Sequence, residues 1–206
     1  TKVTVSIYRR GLTDLIDYTI TRDQIPIFSL DASYMVTPTI DYIKISRFAD
    51  STVDEFKEAL SKLKKQGLES LILDLQGNGG GYLNRAVELA DEFLSEGKKI
   101  VYTRGRSSAP EDYTSSVIGG WEKGKLAILV DESSASASEI VSGAVQDWDR
   151  GLIIGRRSFG KGLVQKPFQL PDGSAIRLTV AHYYTPSGRC IQKPYKLGEE
   201  DEYDLD

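Results

Sequence analysis

The chain has 206 residues, of which 40% are hydrophobic and 27% are charged, so it is long enough to bury one sizeable core. Its net charge of −4 offers no basic surface, and we expect neither nucleic acid nor an anionic membrane as a partner. No apolar run reaches the ~18 residues of a membrane span, so any membrane association would need segments that this chain lacks. A single cysteine excludes an internal disulfide. With only one histidine besides, we expect no metal and no cofactor.

The N-terminal 23 residues predict two strands without a domain around them. Apolar and polar residues alternate over residues 1–10, and a second short strand follows at residues 18–21. Residues 24–40, which contain two prolines, are interpreted as a connector with some strand character.

From residue 41 onward, strands alternate with helices, which predicts an α/β fold. The predicted strands cover residues 41–46, 68–75, 100–104, 125–131, 152–155, 164–170 and 174–184. The predicted helices lie between Ser51 and Gly67, from about Tyr82 to Ser95, and from the Ser136 region to about Trp148. Residues 105–120 are expected to form a polar loop, and residues 196–206 a solvated acidic tail.

Residues 77–81, Gly-Asn-Gly-Gly-Gly, stand between a buried-type strand and a helix. Glycines at such a position let backbone N–H groups approach an anion, and the helix N-terminus adds a favourable potential. The loop lacks the Lys-Ser/Thr of a nucleotide-binding P-loop and does not spell GxGxxG. By itself it is a tight turn, and an oxyanion-binding loop is the better interpretation only beside a nucleophile.

Ser136 begins a predicted helix, and Glu139 three residues later completes a capping box. Taken alone, this pattern indicates an N-cap serine. A serine at a helix start is also where a nucleophile gains from the helix dipole and from N–H groups that stabilise an oxyanion. Both interpretations can hold together.

Lys161 stands between Gly160 and Gly162 and beside apolar residues, which is a poor place for a hydrated charge. Taken alone, a lysine is a surface residue. If it were desolvated, its neutral amine could accept a serine proton, and Gln165 could orient it.

Two other nucleophile systems use His182, the single histidine. A Ser-His-Asp triad would need this residue as the base, but it lies in a predicted strand. A thiol pair of Cys190 with His182 lacks a glycine-rich approach or a helix start at the cysteine. Lys161 is the better base.

Four sequence blocks resemble the signature of the tail-specific, or carboxyl-terminal processing, serine peptidases. They are residues 73–81, 134–140, 159–165 and 172–189. The blocks stand in the family's order, with the family's serine-to-lysine separation, and the resemblance covers residues 41–193.

The resemblance implies an α/β core of the Clp protease/crotonase type, built from β-β-α units and preceded by the last strands of a truncated PDZ domain. On this basis residues 1–23 are a PDZ remnant, 24–40 a connector, 41–195 the catalytic core and 196–206 the tail.

The resemblance also assigns roles by position. Ser136 matches the nucleophile, Lys161 the general base and Gln165 the residue that orients the lysine. The amides of Ala137 and Gly80 match the oxyanion hole, with Gly81 as the alternative to Gly80.

Glu139 and Asp147 match acids that recur on the nucleophile helix, and we expect them to be structural. The chain departs from the family pattern at Gln76 and His182, where relatives often have arginine.

The function that the resemblance implies is serine-type endopeptidase activity near the C-termini of protein or peptide substrates, through an acyl-enzyme. It implies the bacterial periplasm or cell envelope and leaves a homo-oligomer open. Two alternatives remain. One is a catalytically latent peptide-binding scaffold of the same fold. The other is the acyl-CoA chemistry of distant crotonase-like relatives, whose sites lack a Ser-Lys dyad.

Overall fold

The computed structural model describes residues 1–23, 28–116 and 118–194. In these residues the strands are β1 (Lys2–Ile7), β2 (Ile16–Thr21), β3 (Leu30–Thr37), β4 (Ile40–Ile45), β5 (Ser70–Asp74), β6 (Lys99–Arg104), β7 (Glu111–Thr114), β8 (Lys125–Val130), β9 (Leu152–Gly155), β10 (Leu163–Gln169) and β11 (Ala175–Tyr184). The helices are α1 (Thr52–Lys64), α2 (Leu83–Asp91) and α3 (Ala137–Asp147).

A five-stranded sheet in the order β3-β4-β5-β8-β9 carries the main core. Strands β4, β5, β8 and β9 are parallel, and β3 is antiparallel to β4 at one edge. Apolar residues at helical spacing in α1 and α2 are buried in the same core, where Phe56 and Phe93 meet edge to face at 5.6 Å. The carboxyl ends of β5 and β8 lead into the glycine loop and the Ser136 turn, the edge at which open parallel sheets bind ligands.

Two smaller antiparallel sheets complete the described structure. Strands β10, β11, β6 and β7 form a four-stranded sheet, and β1 pairs with β2 in a separate hairpin. The prediction of an α/β fold is confirmed. The assignment of the hairpin to a PDZ domain, and the domain boundaries, stay predictions. None of the helices in the described ranges is long and apolar enough to cross a bilayer.

The structure differs from the predicted elements at three places. Strand β3 lies inside the predicted connector, where Leu30 and Met35 pack against the core. Strand β7 lies inside the predicted polar loop. Helix α2 ends at Asp91 rather than near Ser95, since the amides of Glu92 and Phe93 donate three residues back, to Leu89 and Ala90 at 3.2 and 3.1 Å, instead of four.

Asp41 in β4 is a buried acid without a counter-charge. Its exposed fraction is 0%, and neither carboxylate oxygen has a hydrogen-bond partner in the described part of the chain. It shares the core-facing side of the strand with Ile43 and Ile45. Burial disfavours the ionised form and raises the pKa of Asp41 above its ordinary value of 3.8.

We expect Asp41→Asn to flatten the pH dependence of stability. The folded state holds the proton more tightly than the unfolded state. The wild-type free energy of unfolding is therefore undiminished below the ordinary pKa and falls as the pH rises through the raised one. Asparagine does not ionise, so the difference between variant and wild type should grow as the pH rises above the ordinary aspartate pKa of 3.8, measured in urea titrations. The exposed Asp14→Asn is the control. Parallel wild-type and Asp41→Asn stability curves would contradict the assignment.

Candidate active site

Ser136 lies on a sharp turn between β8 and α3. Its φ of 54° and ψ of −108° lie in a region that non-glycine residues rarely occupy. Residues 134–140 are buried except Ser136, which is partly exposed. The turn is anchored because Ser134 Oγ donates to the Leu75 carbonyl at 2.8 Å. The surrounding structure thus holds a strained serine at the surface of a buried segment, as is common at functional sites.

The glycine loop lies directly against this turn. The Ala135 amide donates to the Asn78 carbonyl at 3.0 Å, and Ser138 Oγ donates to the same carbonyl at 2.9 Å. A Cβ added to Gly80 would lie 2.8 Å from Ser136 Cβ and 3.0 Å from the Ala137 nitrogen. The structure therefore brings together the two elements that the sequence predicted separately.

The amides of Ala137 and Gly81 both lack a hydrogen-bond acceptor within the described residues. The Ala137 amide is in the first turn of α3 and has no hydrogen-bond acceptor within the described residues. The Gly80 carbonyl accepts from the Phe48 amide at 3.0 Å. Because the carbonyl and N–H of a trans peptide point in opposite directions, the Gly81 N–H points away from Phe48, and it too lacks an acceptor in the described ranges.

Gly80, the preferred oxyanion donor of the sequence analysis, is not available in this structure. Its N–H donates to Asn78 Oδ1 at 2.9 Å. The orientation of that carboxamide is set at its other end, where Asn78 Nδ2 donates to the Ile45 carbonyl at 2.9 Å. The Gly81 amide, by contrast, has no acceptor in the described ranges, and Gly80 is where an added Cβ would meet Ser136.

Glu139 connects the serine turn to the lysine loop. Its carboxylate is buried, and Oε2 accepts from the amides of Ser136 and Lys161, each at 2.8 Å. Oε1 accepts from Ser158 Oγ at 2.8 Å and from the Gly160 amide at 2.6 Å. The capping pattern in the sequence indicated the bond to Ser136. The three bonds to the lysine loop join residues far apart in the chain, and the sequence carried no signal for them.

The Lys161 and Gln165 side chains are exposed. Within the described residues, neither the amine nor the carboxamide has a hydrogen bond or ion pair. The desolvation expected from the apolar neighbours of Lys161 is therefore not present in this structure. Gln165 lies in β10 beside a register shift, where Val164 pairs with Ala181 and Gln165 with Thr179.

Asp147, at the end of α3, has a structural role. It accepts from the Ser187 amide at 2.9 Å and Ser187 Oγ at 2.7 Å, and it forms an ion pair with Arg189. Burial alone would raise the pKa of Asp147, but hydrogen bonds from Thr185, Ser187 and Arg189 hold it below its ordinary value. His182 lies on β11 opposite Leu163 and makes no described contact with Ser136.

A strained serine at a helix start, faced by a glycine loop with unpaired amides, is an arrangement that serine hydrolases use. The sequence model of peptidase family S41 matches residues 39–199, which is more than half of the chain, and the chain belongs to that family. The resemblance drawn from the four sequence blocks is confirmed.

Three similar proteins are all named as C-terminal processing proteases. The carboxy-terminal-processing protease of Bartonella bacilliformis is 40% identical over 197 residues, which are 93% of this chain and 45% of the relative. The carboxyl-terminal-processing protease of Synechocystis is 37% identical, covering 94% of this chain and 45% of the relative. Among solved structures, the photosystem II D1 C-terminal processing protease matches with a TM-score of 0.73 at 30% identity, covering 93% of this chain and 53% of that one. The chain spans about half the length of these relatives.

Replacing Glu139 with glutamine should destabilise both loops. A carboxamide has one acceptor oxygen, so its NH₂ would face two of the four donors that converge on Glu139. We expect a loss of about 1–3 kcal/mol in the free energy of unfolding, measured in urea. The control is Glu69→Gln, at an exposed glutamate. Wild-type stability of Glu139→Gln would contradict the role assigned to the carboxylate.

Replacing Gly80 with alanine should impair the serine more than replacing Gly77. Both glycines have positive φ, +101° and +74°, so both variants carry similar backbone strain. Only at Gly80 would the new Cβ meet Ser136, since nothing lies within 4 Å of one at Gly77. We expect fluorophosphonate labelling of Ser136 to slow by about tenfold or more in Gly80→Ala, because small misplacements of reacting groups are costly. Equal labelling of the two variants would refute this geometry.

Proposed function

We propose that the chain is the catalytic core of a serine endopeptidase that cleaves peptide bonds near the C-termini of protein substrates. Ser136 and Lys161 form the catalytic dyad. The observation that carries this proposal is the Glu139 carboxylate, which accepts hydrogen bonds from the backbone amides of both residues at 2.8 Å. The family's curated relatives are named as carboxyl-terminal-processing proteases, which supports the same substrate class.

The reaction proceeds through an acyl-enzyme. The neutral Lys161 amine takes the Ser136 proton as Oγ attacks the scissile carbonyl carbon. The amides of Ala137 and Gly81 donate to the oxyanion that develops on the carbonyl oxygen. The protonated amine then gives its proton to the departing amine of the substrate. Lys161 next removes a proton from the water that attacks the acyl carbon, and returns that proton to Ser136 Oγ as the bond from Oγ to the acyl group breaks.

Substrate binding supplies the desolvation that Lys161 lacks in this structure. The amine is exposed and has no partner in the described residues. A peptide lying over Ser136 and the start of β10 would cover it and exclude water, which favours the neutral form that a base requires. Gln165, two residues into β10, would then lie beside the covered amine and orient it.

The exposed amine also favours a second candidate, a catalytically latent peptide-binding scaffold with the same fold. In that case the serine and lysine are both present but are not aligned for proton transfer. We also propose that the protein lies in the bacterial periplasm or cell envelope, which its resemblance to bacterial processing proteases supports.

Labelling Ser136 with a fluorophosphonate separates the two candidates. We expect the wild type to be labelled and to cleave an unstructured peptide, and Lys161→Ala to lose both activities by about 10²-fold or more. His182→Ala should keep them. The rate should rise on the alkaline side, without a limb near the ordinary histidine pKa of about 6.5.

Other results would count against the endopeptidase. A wild type that is not labelled would favour the scaffold. Wild-type rates in Lys161→Ala, combined with their loss in His182→Ala, would show that the histidine is the base.

A further inference from the structure

Residues 190–193 lie along the outer side of the lysine loop, opposite Glu139. The Lys193 amide donates to the Gly160 carbonyl at 2.9 Å. The Gly162 amide donates to Gln192 Oε1 at 3.0 Å. These two bonds fall on either side of Lys161, so the loop is held from its outer side as well as from the core.

Close backbone approach explains the two glycines that flank Lys161. A Cβ on Gly160 would lie 2.7 Å from Lys193 Cβ, and a Cβ on Gly162 would collide with the backbone nitrogen of Gln192. Either side chain would push residues 190–193 away from the loop. The glycines are therefore needed for this contact, whatever the chemistry of Lys161.

The position of residues 190–193 is fixed independently of the loop. The Ile191 amide donates to the Tyr183 carbonyl at 3.0 Å, which continues the pairing beside β11. The turn that precedes these residues is held by Asp147 at the end of α3. The Gln192 side chain is itself oriented, because its Nε2 donates to the Lys193 carbonyl at 3.1 Å. Gln192 thus presents an oriented acceptor from a supported segment.

Glu139 and Gln192 together restrain both backbone dihedrals of Lys161. The N–H of Lys161 itself donates to Glu139, which fixes the peptide plane before its Cα. The N–H of Gly162 donates to Gln192, which fixes the plane after it. Since peptide units are planar, fixing both planes fixes φ and ψ and therefore the direction of the Lys161 Cα–Cβ bond. A long flexible side chain that starts in a fixed direction reaches a smaller region of space.

We propose that Gln192 is a positioning residue for the general base: its carboxamide holds the Lys161–Gly162 peptide plane and so keeps the amine within reach of Ser136. The inference rests on the proposed role of Lys161. Gln192 touches neither the substrate nor the reacting atoms. Losing its acceptor should lower the fraction of molecules with an aligned dyad and leave peptide binding unchanged.

Two substitutions separate positioning from general support. Gln192→Leu has nearly the same shape but no acceptor for Gly162. Gln192→Glu keeps an acceptor and places a negative charge beside the lysine loop, which stabilises a protonated amine. Gln169→Leu, at an exposed glutamine of β10, is the matched control. The wild type gives the upper limit of the rates for comparison, and Lys161→Ala gives the lower limit.

The readouts are the fluorophosphonate labelling rate of Ser136 across pH and the kcat and KM for a peptide substrate. We expect Gln192→Leu to lower kcat and labelling about 3- to 30-fold with KM within about twofold of wild type, as for a misplaced catalytic group. Gln192→Glu should regain activity at high pH, with its pH midpoint up to about one unit above wild type. Gln169→Leu should match the wild type.

Three results would overturn the proposal. The first is a folded Gln192→Leu that labels at the wild-type rate. The second is a loss that appears in KM alone. If Gln192→Leu does not fold, the test rests on Gln192→Glu. The third result is a pH midpoint of activity in Gln192→Glu that equals that of the wild type. An unlabelled wild type, or a Lys161→Ala variant with wild-type rates, would instead show that the proposed function itself has failed, and the inference with it.

Discussion

The buried carboxylate of Glu139 is the interaction on which the site depends. It accepts hydrogen bonds from three backbone amides and one hydroxyl, at 2.6 to 2.8 Å, and has no ion pair among the residues that the structure describes. A buried carboxylate is costly unless its oxygens are fully hydrogen-bonded, and four charge-assisted bonds meet that requirement. The N-terminus of α3 adds a favourable potential. Because the donors come from both the serine turn and the lysine loop, neither segment can move without breaking bonds to a buried charge.

The rest of the site is made largely of backbone, and this is why glycines surround it. Gly80 allows the loop to approach Ser136, and Gly160 and Gly162 allow residues 190–193 to approach the lysine loop. Each contact excludes a Cβ and aligns peptide groups instead. The strained dihedrals of Ser136 persist because the segment around it is buried and hydrogen-bonded. Side-chain chemistry enters through few residues, and the backbone determines where they point.

The sequence predicted those features that depend on local pattern. The apolar runs of β5 and β8 indicated buried strands, and Ser136 with Glu139 indicated a helix start. Strand β7 was missed, and β3 was recognised only as strand character within a connector. Each pairs with a single neighbour, and a mostly exposed strand of this kind has little apolar alternation of its own. The bonds from Glu139 to the lysine loop depend on tertiary contacts that no local pattern encodes. The bond from the Gly80 amide to Asn78 spans only two residues and is a local turn that asparagine favours.

A catalytic amine must be held in a fixed direction and must be shielded from water. In this structure Lys161 meets only the first of these requirements. Its backbone is held on both sides, by Glu139 at its own amide and by Gln192 at the next one, so the direction of the side chain is set before any substrate binds. Its amine is still exposed to water. On the proposed mechanism, the fold sets the direction of the Lys161 side chain, and the bound peptide excludes water from its amine. The direction of the amine therefore comes from the fold and its desolvation from the substrate, and Gln192 contributes to the first of these only.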